Sequence, residues 1–272
     1  MSIKTGQAVR VPVNGTCLNA RVDGPENAPW MVFSNSLACD LSLWDEQVAA
    51  FSGRFRFLRY DQRGHGGSDV SVEPFAMNDL ASDLLALLTF FSVNKAILVG
   101  ASMGATTVLR CAFRDPSRCL AVVPCDGLWR SAPGATAMWA ERFAVVREGG
   151  MAAMTEPTVQ RWFQGDFFER KPDVVVRVKS MIAGTSPEGY FGCGGALENY
   201  DFSADYTGIV VPGLFIAGAQ DGDTPKIMRE MASTVQHGRY HSIDHCGHLP
   251  NIEQPEKWFK AVDGFVRDLK FG

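Results

Sequence analysis

Short apolar runs of strand length alternate with amphipathic stretches of helical period through most of the chain. Ala8–Pro12 and Thr16–Val22, split by Asn14-Gly15, read as a hairpin, because Asn-Gly supplies the positive φ of a tight turn. Trp30–Phe33 and Phe55–Tyr60 are buried strands separated by a helix over Leu43–Phe51. Asn78–Phe91 then carries Leu80, Leu84, Leu87, Leu88 and Phe91 on one helical face. Lys95–Val99 is the next strand, followed by a helix to Phe113 that Asp115-Pro116 stops. Leu120–Pro124 is another strand, ending at Asp126-Gly127. Alternation at this spacing predicts a parallel sheet covered on both faces. From Trp129 to Phe202 the alternation fails: the pattern there is helical and rich in Trp, Phe and Met. The sheet resumes with Gly213–Ala217, a helix over Pro225–Val235, a strand over Arg239–Ile243 and a closing helix over Gln254–Leu269. The predicted organisation is a core of residues 1–128 and 203–272 with a helical cap, 129–202, inserted between them.

Composition narrows the class. Of 272 residues 46% are hydrophobic and 21% charged, with a formal net charge of −4, so a large core can form and nothing draws the chain to nucleic acid or an anionic membrane. The opening Met-Ser-Ile-Lys-Thr-Gly lacks the apolar core of a signal peptide and no run is long enough to span a bilayer, which predicts a cytoplasmic protein. Such a chain is compatible with a homo-oligomer. The seven cysteines are scattered without Cys-x-x-Cys spacing, which suits small core residues in a reducing compartment rather than disulfides or zinc, and no cofactor is implied.

The chemistry centres on Gly100-Ala101-Ser102-Met103-Gly104, between a strand and a helix. A strand that turns sharply into a helix strains the hinge residue and needs small neighbours, which leaves the Ser102 hydroxyl open at the positive end of the helix. A hydroxyl is a weak nucleophile unless an imidazole takes its proton and a carboxylate holds that imidazole. Among the five histidines, His248 sits nearest the final helix in Asp244-His245-Cys246-Gly247-His248-Leu249-Pro250. Asp221 is the first acid after the preceding strand. Asp126 and Asp223 compete with it. Cys246 would need the same base as Ser102. The N–H groups of Met103 and Leu37 are the expected oxyanion donors.

These residues resemble the α/β-hydrolases, and more closely the 3-oxoadipate enol-lactonases. The likeness is carried by Ser34-Asn35-Ser36-Leu37 with Asp40 and Trp44-Asp45, by Arg59-Tyr60-Asp61-Gln62-Arg63-Gly64-His65-Gly66, by the elbow, and by Arg161-Trp162-Phe163 and Thr185-Ser186-Pro187-Glu188-Gly189-Tyr190. Ala105, the short loop after Asp221 and Cys246-Gly247-His248 depart from the lactonase pattern. The resemblance implies an α/β-hydrolase fold: a mostly parallel eight-stranded sheet, helices on both faces and an inserted helical cap. It also implies a serine hydrolase opening an enol-lactone to a keto acid, with a carboxylate-bearing substrate held by Arg161 and walled by Trp129, Trp162 and Tyr190. A general esterase or lactonase, a perhydrolase and a slow-turnover receptor of the same fold are the competing readings.

Overall fold

The computed structural model describes residues 5–71 and 73–269. Strands β1 (Ala8–Val13) and β2 (Thr16–Asp23) form the hairpin, with Asn14 at φ 41° and Gly15 at φ 77° in its turn. β3 (Trp30–Ser34), β4 (Arg56–Tyr60), β5 (Ala96–Ala101), β6 (Cys119–Cys125), β7 (Gly213–Gly218) and β8 (Gly238–Ile243) complete an eight-stranded sheet of order β1-β2-β4-β3-β5-β6-β7-β8. β1–β2 and β2–β4 pair antiparallel, and all later pairs are parallel.

The period of two along the central strands divides their side chains between two cores. Met31, Phe33, Ile97, Val99, Ala121, Val123, Leu214 and Ile216 face one; Val32, Leu98, Val122, Phe215 and Ala217 face the other. Each strand is therefore apolar on both sides, which is why these segments read as continuous apolar runs. Helices α2 (Met77–Phe90), α3 (Met103–Arg114) and α9 (Thr224–Thr234) cover the second core through Leu84, Val108 and Met228. The first core is closed by α1 (Asp45–Ala50), by Trp258 and Val262 of α11 (Pro255–Asp268), and by the inserted segment. That segment comprises α4 (Ala135–Ala153), α5 (Thr155–Trp162), α6 (Phe167–Arg170), α7 (Pro172–Gly184) and α8 (Pro187–Glu198).

Two predicted helices differ in their bounds. Leu41–Trp44 is a tighter 3₁₀ turn ahead of α1, because the Asp40 carboxylate accepts Ser42 N–H at 2.8 Å and starts the helix early. A one-turn helix, α10 (Pro250–Glu253), precedes α11.

The inserted helices are fastened to the sheet loops on two sides. On one, α8 meets the loop after β4 backbone to backbone: a Cβ at Gly64 would stand 2.2 Å from Gly189 Cα, and Ser186 N–H reaches Gly64 O at 3.3 Å. On the other, His248 N–H donates to Trp162 O at 2.8 Å, and the Glu253 carboxylate accepts both Gln164 N–H and Gly247 N–H at 2.7 Å. No helix among the described residues is long and apolar enough to cross a membrane.

Candidate active site

Ser102 joins β5 to α3 with φ 52° and ψ −113°, a strained conformation for a residue with a side chain. The flanking glycines are required by space: a Cβ on Gly100 would lie 2.1 Å from Gly104 O, and one on Gly104 would lie 2.1 Å from Ser34 O. The elbow is thus wedged between its own helix and the end of β3. The Ser102 hydroxyl stands 2.9 Å from Nε2 of His248, whose Nδ1 stands 2.8 Å from Oδ2 of Asp221. These three side chains come from the loops after β5, β8 and β7, which end at the same edge of the parallel sheet. With Nδ1–H donated to a carboxylate, Nε2 is left as the acceptor of the serine proton, the tautomer that can activate a hydroxyl.

Burial pushes the Asp221 carboxyl up, but the charge and hydrogen bond of the His248 imidazole beside it outweigh this and hold it below the ordinary carboxylate range. Asp223 is exposed and begins α9. His237, His241 and His245 are exposed. Cys246 is buried, its thiol points to Gly247 O, and burial pushes its pKa up, so it is no thiolate nucleophile.

A cavity of about 230 Å³ opens over Ser102. Leu37 and Met103 border it, and among the described residues neither of their N–H groups has an acceptor within the chain. Two unsatisfied donors beside a hydroxyl are a ready place for an oxyanion. His65 holds the first of these loops: its Nε2 accepts Ala38 N–H at 3.0 Å while Nδ1 meets Arg63 O at 2.9 Å, and Ala38 itself sits at φ 60°. Complete burial lowers the His65 pKa to about 4, so the ring is neutral. Among the described residues no group of three or more His, Cys, Asp or Glu is arranged to hold a metal.

Residues 31–262 match the model of the alpha/beta hydrolase family. The chain belongs to that family. Among curated relatives it is 34% identical to 3-oxoadipate enol-lactonase 1 of Acinetobacter baylyi, over 94% of this chain and 95% of that one. It is 32% identical to enol-lactonase 2 of the same organism, over 92% and 93%. The enol-lactonase of Burkholderia xenovorans superposes with a TM-score of 0.91 at 36% identity, covering 96% of this chain and 100% of its own. An alpha/beta hydrolase with relatives of that kind is a carboxylic ester hydrolase, and its chemistry is ester or lactone hydrolysis.

The remaining residues expected around the hydrolase pocket separate into two groups. Arg161, Trp162 and Tyr190 border the cavity. Trp162 also lies stacked on His248, with ring centroids 6.1 Å apart, and its buried indole N–H has no acceptor among the described residues. Trp129 does not border the cavity. It packs on Tyr206 at 6.2 Å in the core on the other face of the sheet, because the chain leaving β6 turns down to meet Phe202, whose N–H donates to Trp129 O at 2.8 Å. Its role is to tie the two ends of the inserted segment together.

Arg142 is a charged cavity residue that sequence reasoning missed. It is half-buried, its guanidinium lies 5.0 Å above the Trp139 ring, and among the described residues it has no carboxylate partner. Burial lowers its pKa from the ordinary arginine value. The signal was present: Ala135, Met138, Trp139 and Arg142 share one face of α4, so an arginine occupies a position on an otherwise apolar stripe. Arg161 is exposed on the last turn of α5 and is likewise without a carboxylate partner among the described residues, Asp166 being taken by Arg170 at 2.9 Å.

Proposed function

We propose that this protein is a serine hydrolase that opens a small carboxylate-bearing lactone or ester through an acyl-enzyme, and that its substrate is 3-oxoadipate enol-lactone. The observation that carries the reading is the pair of contacts on one imidazole, 2.9 Å to the Ser102 hydroxyl and 2.8 Å to Asp221. The three enol-lactonase relatives support the substrate. The small cavity and its two guanidiniums, Arg142 and Arg161, support a compact anion. In this reading residues 129–202 are the cap over a core of 1–128 and 203–272, and the protein works in the cytoplasm.

Ser102 Oγ attacks the lactone carbonyl as His248 Nε2 takes its proton, and Asp221 stabilises the imidazolium through Nδ1–H. The tetrahedral oxyanion accepts from Leu37 and Met103 N–H. Collapse breaks the ring C–O bond and releases an enolate, a better leaving group than an alkoxide, which takes the proton from the His248 imidazolium and becomes the ketone while the acyl group stays on Ser102. Water then gives a proton to His248 and attacks the ester, and the Ser102–acyl bond breaks as that proton passes to Ser102 Oγ, which frees the open-chain keto acid.

Steady-state turnover on the enol-lactone and on p-nitrophenyl acetate tests this. Fast hydrolysis of the first with an acyl group trapped on Ser102 is expected, and Ser102→Ala should reduce kcat by several powers of ten. Fast hydrolysis of the second alone would make it a general esterase. Slow turnover of both would make it a receptor.

A further inference from the structure

Asp126 directly follows β6 beside the triad, and none of the steps above uses it. Its backbone adopts φ 46°, its N–H donates to Ile216 O at 3.0 Å, and its Oδ1 accepts Gly218 N–H at 3.0 Å. The carboxyl is thereby anchored to the end of β7, three residues before Asp221. It is 2% exposed, and Oδ2 accepts no N–H or O–H among the other described residues. Asp126 and Asp221 both border the cavity, and the Asp126 carboxyl lies within reach of the Asp221 charge.

Two ionised carboxylates side by side in a buried site repel, and neither can donate to the other, so an Oδ2 with no N–H or O–H partner is far cheaper to keep protonated. The pair therefore retains one proton. Asp221 already takes His248 Nδ1–H, which favours its charged form, whereas Asp126 Oδ2 has no N–H or O–H partner among the described residues, so the proton belongs to Asp126. We infer that Asp126 is a neutral carboxylic acid in the working enzyme, donates Oδ2–H to Asp221, and is a positioning residue for the triad acid. The protonation state rests on the buried, unpartnered Oδ2 beside Asp221, whereas the role rests on the serine-hydrolase reading.

The surroundings agree. The titratable groups near Asp126 are Asp221 from the loop after β7, Glu253 from α10, and the thiols of Cys125 and Cys246, with His248 beyond Asp221. No lysine or arginine is among them. Burial, then the Asp221 charge, push the Asp126 carboxyl well above the ordinary range.

A group that carries no charge can be exchanged for its amide without altering the field at His248. With p-nitrophenyl acetate as probe ester, Asp126→Asn should keep kcat within about threefold of wild type and leave the acid limb of kcat/KM in place. Asp126→Val, which removes the donor, should lower kcat about tenfold at unchanged KM and move that limb up by about half a unit, as Asp221 becomes more basic. Infrared spectra of the wild-type protein at neutral pH should contain the C=O stretch of a buried neutral carboxylic acid that Asp126→Asn removes. A limb shifted down by about half a unit or more in Asp126→Asn would mean that a negative charge had been lost, and would overturn the inference. So would the absence of the neutral-acid band, which is read on wild-type protein even if neither variant folds. A wild-type protein that shows the band but hydrolyses neither ester nor lactone would keep the proton on Asp126 and overturn the hydrolase reading instead.

Discussion

The carbonyl oxygen of Trp162 accepts the backbone N–H of His248 at 2.8 Å, so the last turn of α5 sets the height of the imidazole. Gly247 is what lets them approach: a Cβ there would lie 2.3 Å from the same Trp162 oxygen. Gly247→Ala should separate the two segments and misplace His248. Displacement of a reacting group by about 1 Å costs on the order of a hundredfold, so kcat should fall by that factor with KM little changed. Steady-state kinetics alongside a thermal melt would separate this from unfolding.

Asp221→Asn should lower kcat about ten-thousandfold, the effect seen where the amide selects the wrong imidazole tautomer in a serine-protease triad. Asp223→Asn should be silent, because Asp223 is exposed at the start of α9. Comparable losses in both variants would place the function of this loop in its fold rather than in one carboxylate.

Arg142 and Arg161 border the same cavity with no carboxylate to neutralise them among the described residues. Arg142→Met should raise KM for an acidic lactone by ten- to a hundredfold, the equivalent of a charge-assisted hydrogen bond of about 1.5–3 kcal/mol. The exposed Arg161 should show a smaller rise when changed to Met. A neutral ester of similar size should be almost unaffected by either change. Equal effects on both substrates would assign the arginines to packing.

His65 contributes to acid sensitivity. Its folded pKa of about 4 lies below the unfolded value of about 6.5, so the unfolded chain binds the extra proton and stability is lost as pH falls through that interval. Between pH 7 and pH 5 this one ring should cost about 2 kcal/mol. Denaturant melts at the two pH values should show that difference, and it should vanish in His65→Gln. Unchanged pH dependence in the variant would exclude His65 as the source.

How much was legible follows from how local each signal is. The Asn14-Gly15 turn, the apolar strands and the elbow glycines each record a constraint within a few residues, and each lies where the pattern put it. The pairing of His248 with Asp221 links residues 27 positions apart in sequence, and Asp126 is held against the start of the same loop through Gly218. Chain order could not rank Asp126 and Asp221. Burial and hydrogen bonding could: one carboxyl meets the imidazole and the other meets Gly218. Trp129 was misplaced because an aromatic just past a strand can turn to either face of a sheet, and here the contact with Tyr206 decides the direction. Arg142 was hidden because a charged residue within a helix is ordinarily a solvated one.

The bare contact between Gly64 and Gly189 bears on how such a scaffold can acquire new substrates. With Cβ positions only 2.2 and 2.3 Å from opposing backbone, neither site accepts any side chain without parting α8 from the sheet. The other fastening, at Trp162 and Gly247, is as intolerant. Variation in substrate range is thereby channelled into α4, whose inward face carries Ala135, Met138 and Arg142 to the cavity and takes part in neither junction. A library confined to those three positions would resize and recharge the pocket while leaving the imidazole where it is, whereas one spread over the whole inserted segment would spend most of its members on broken seams.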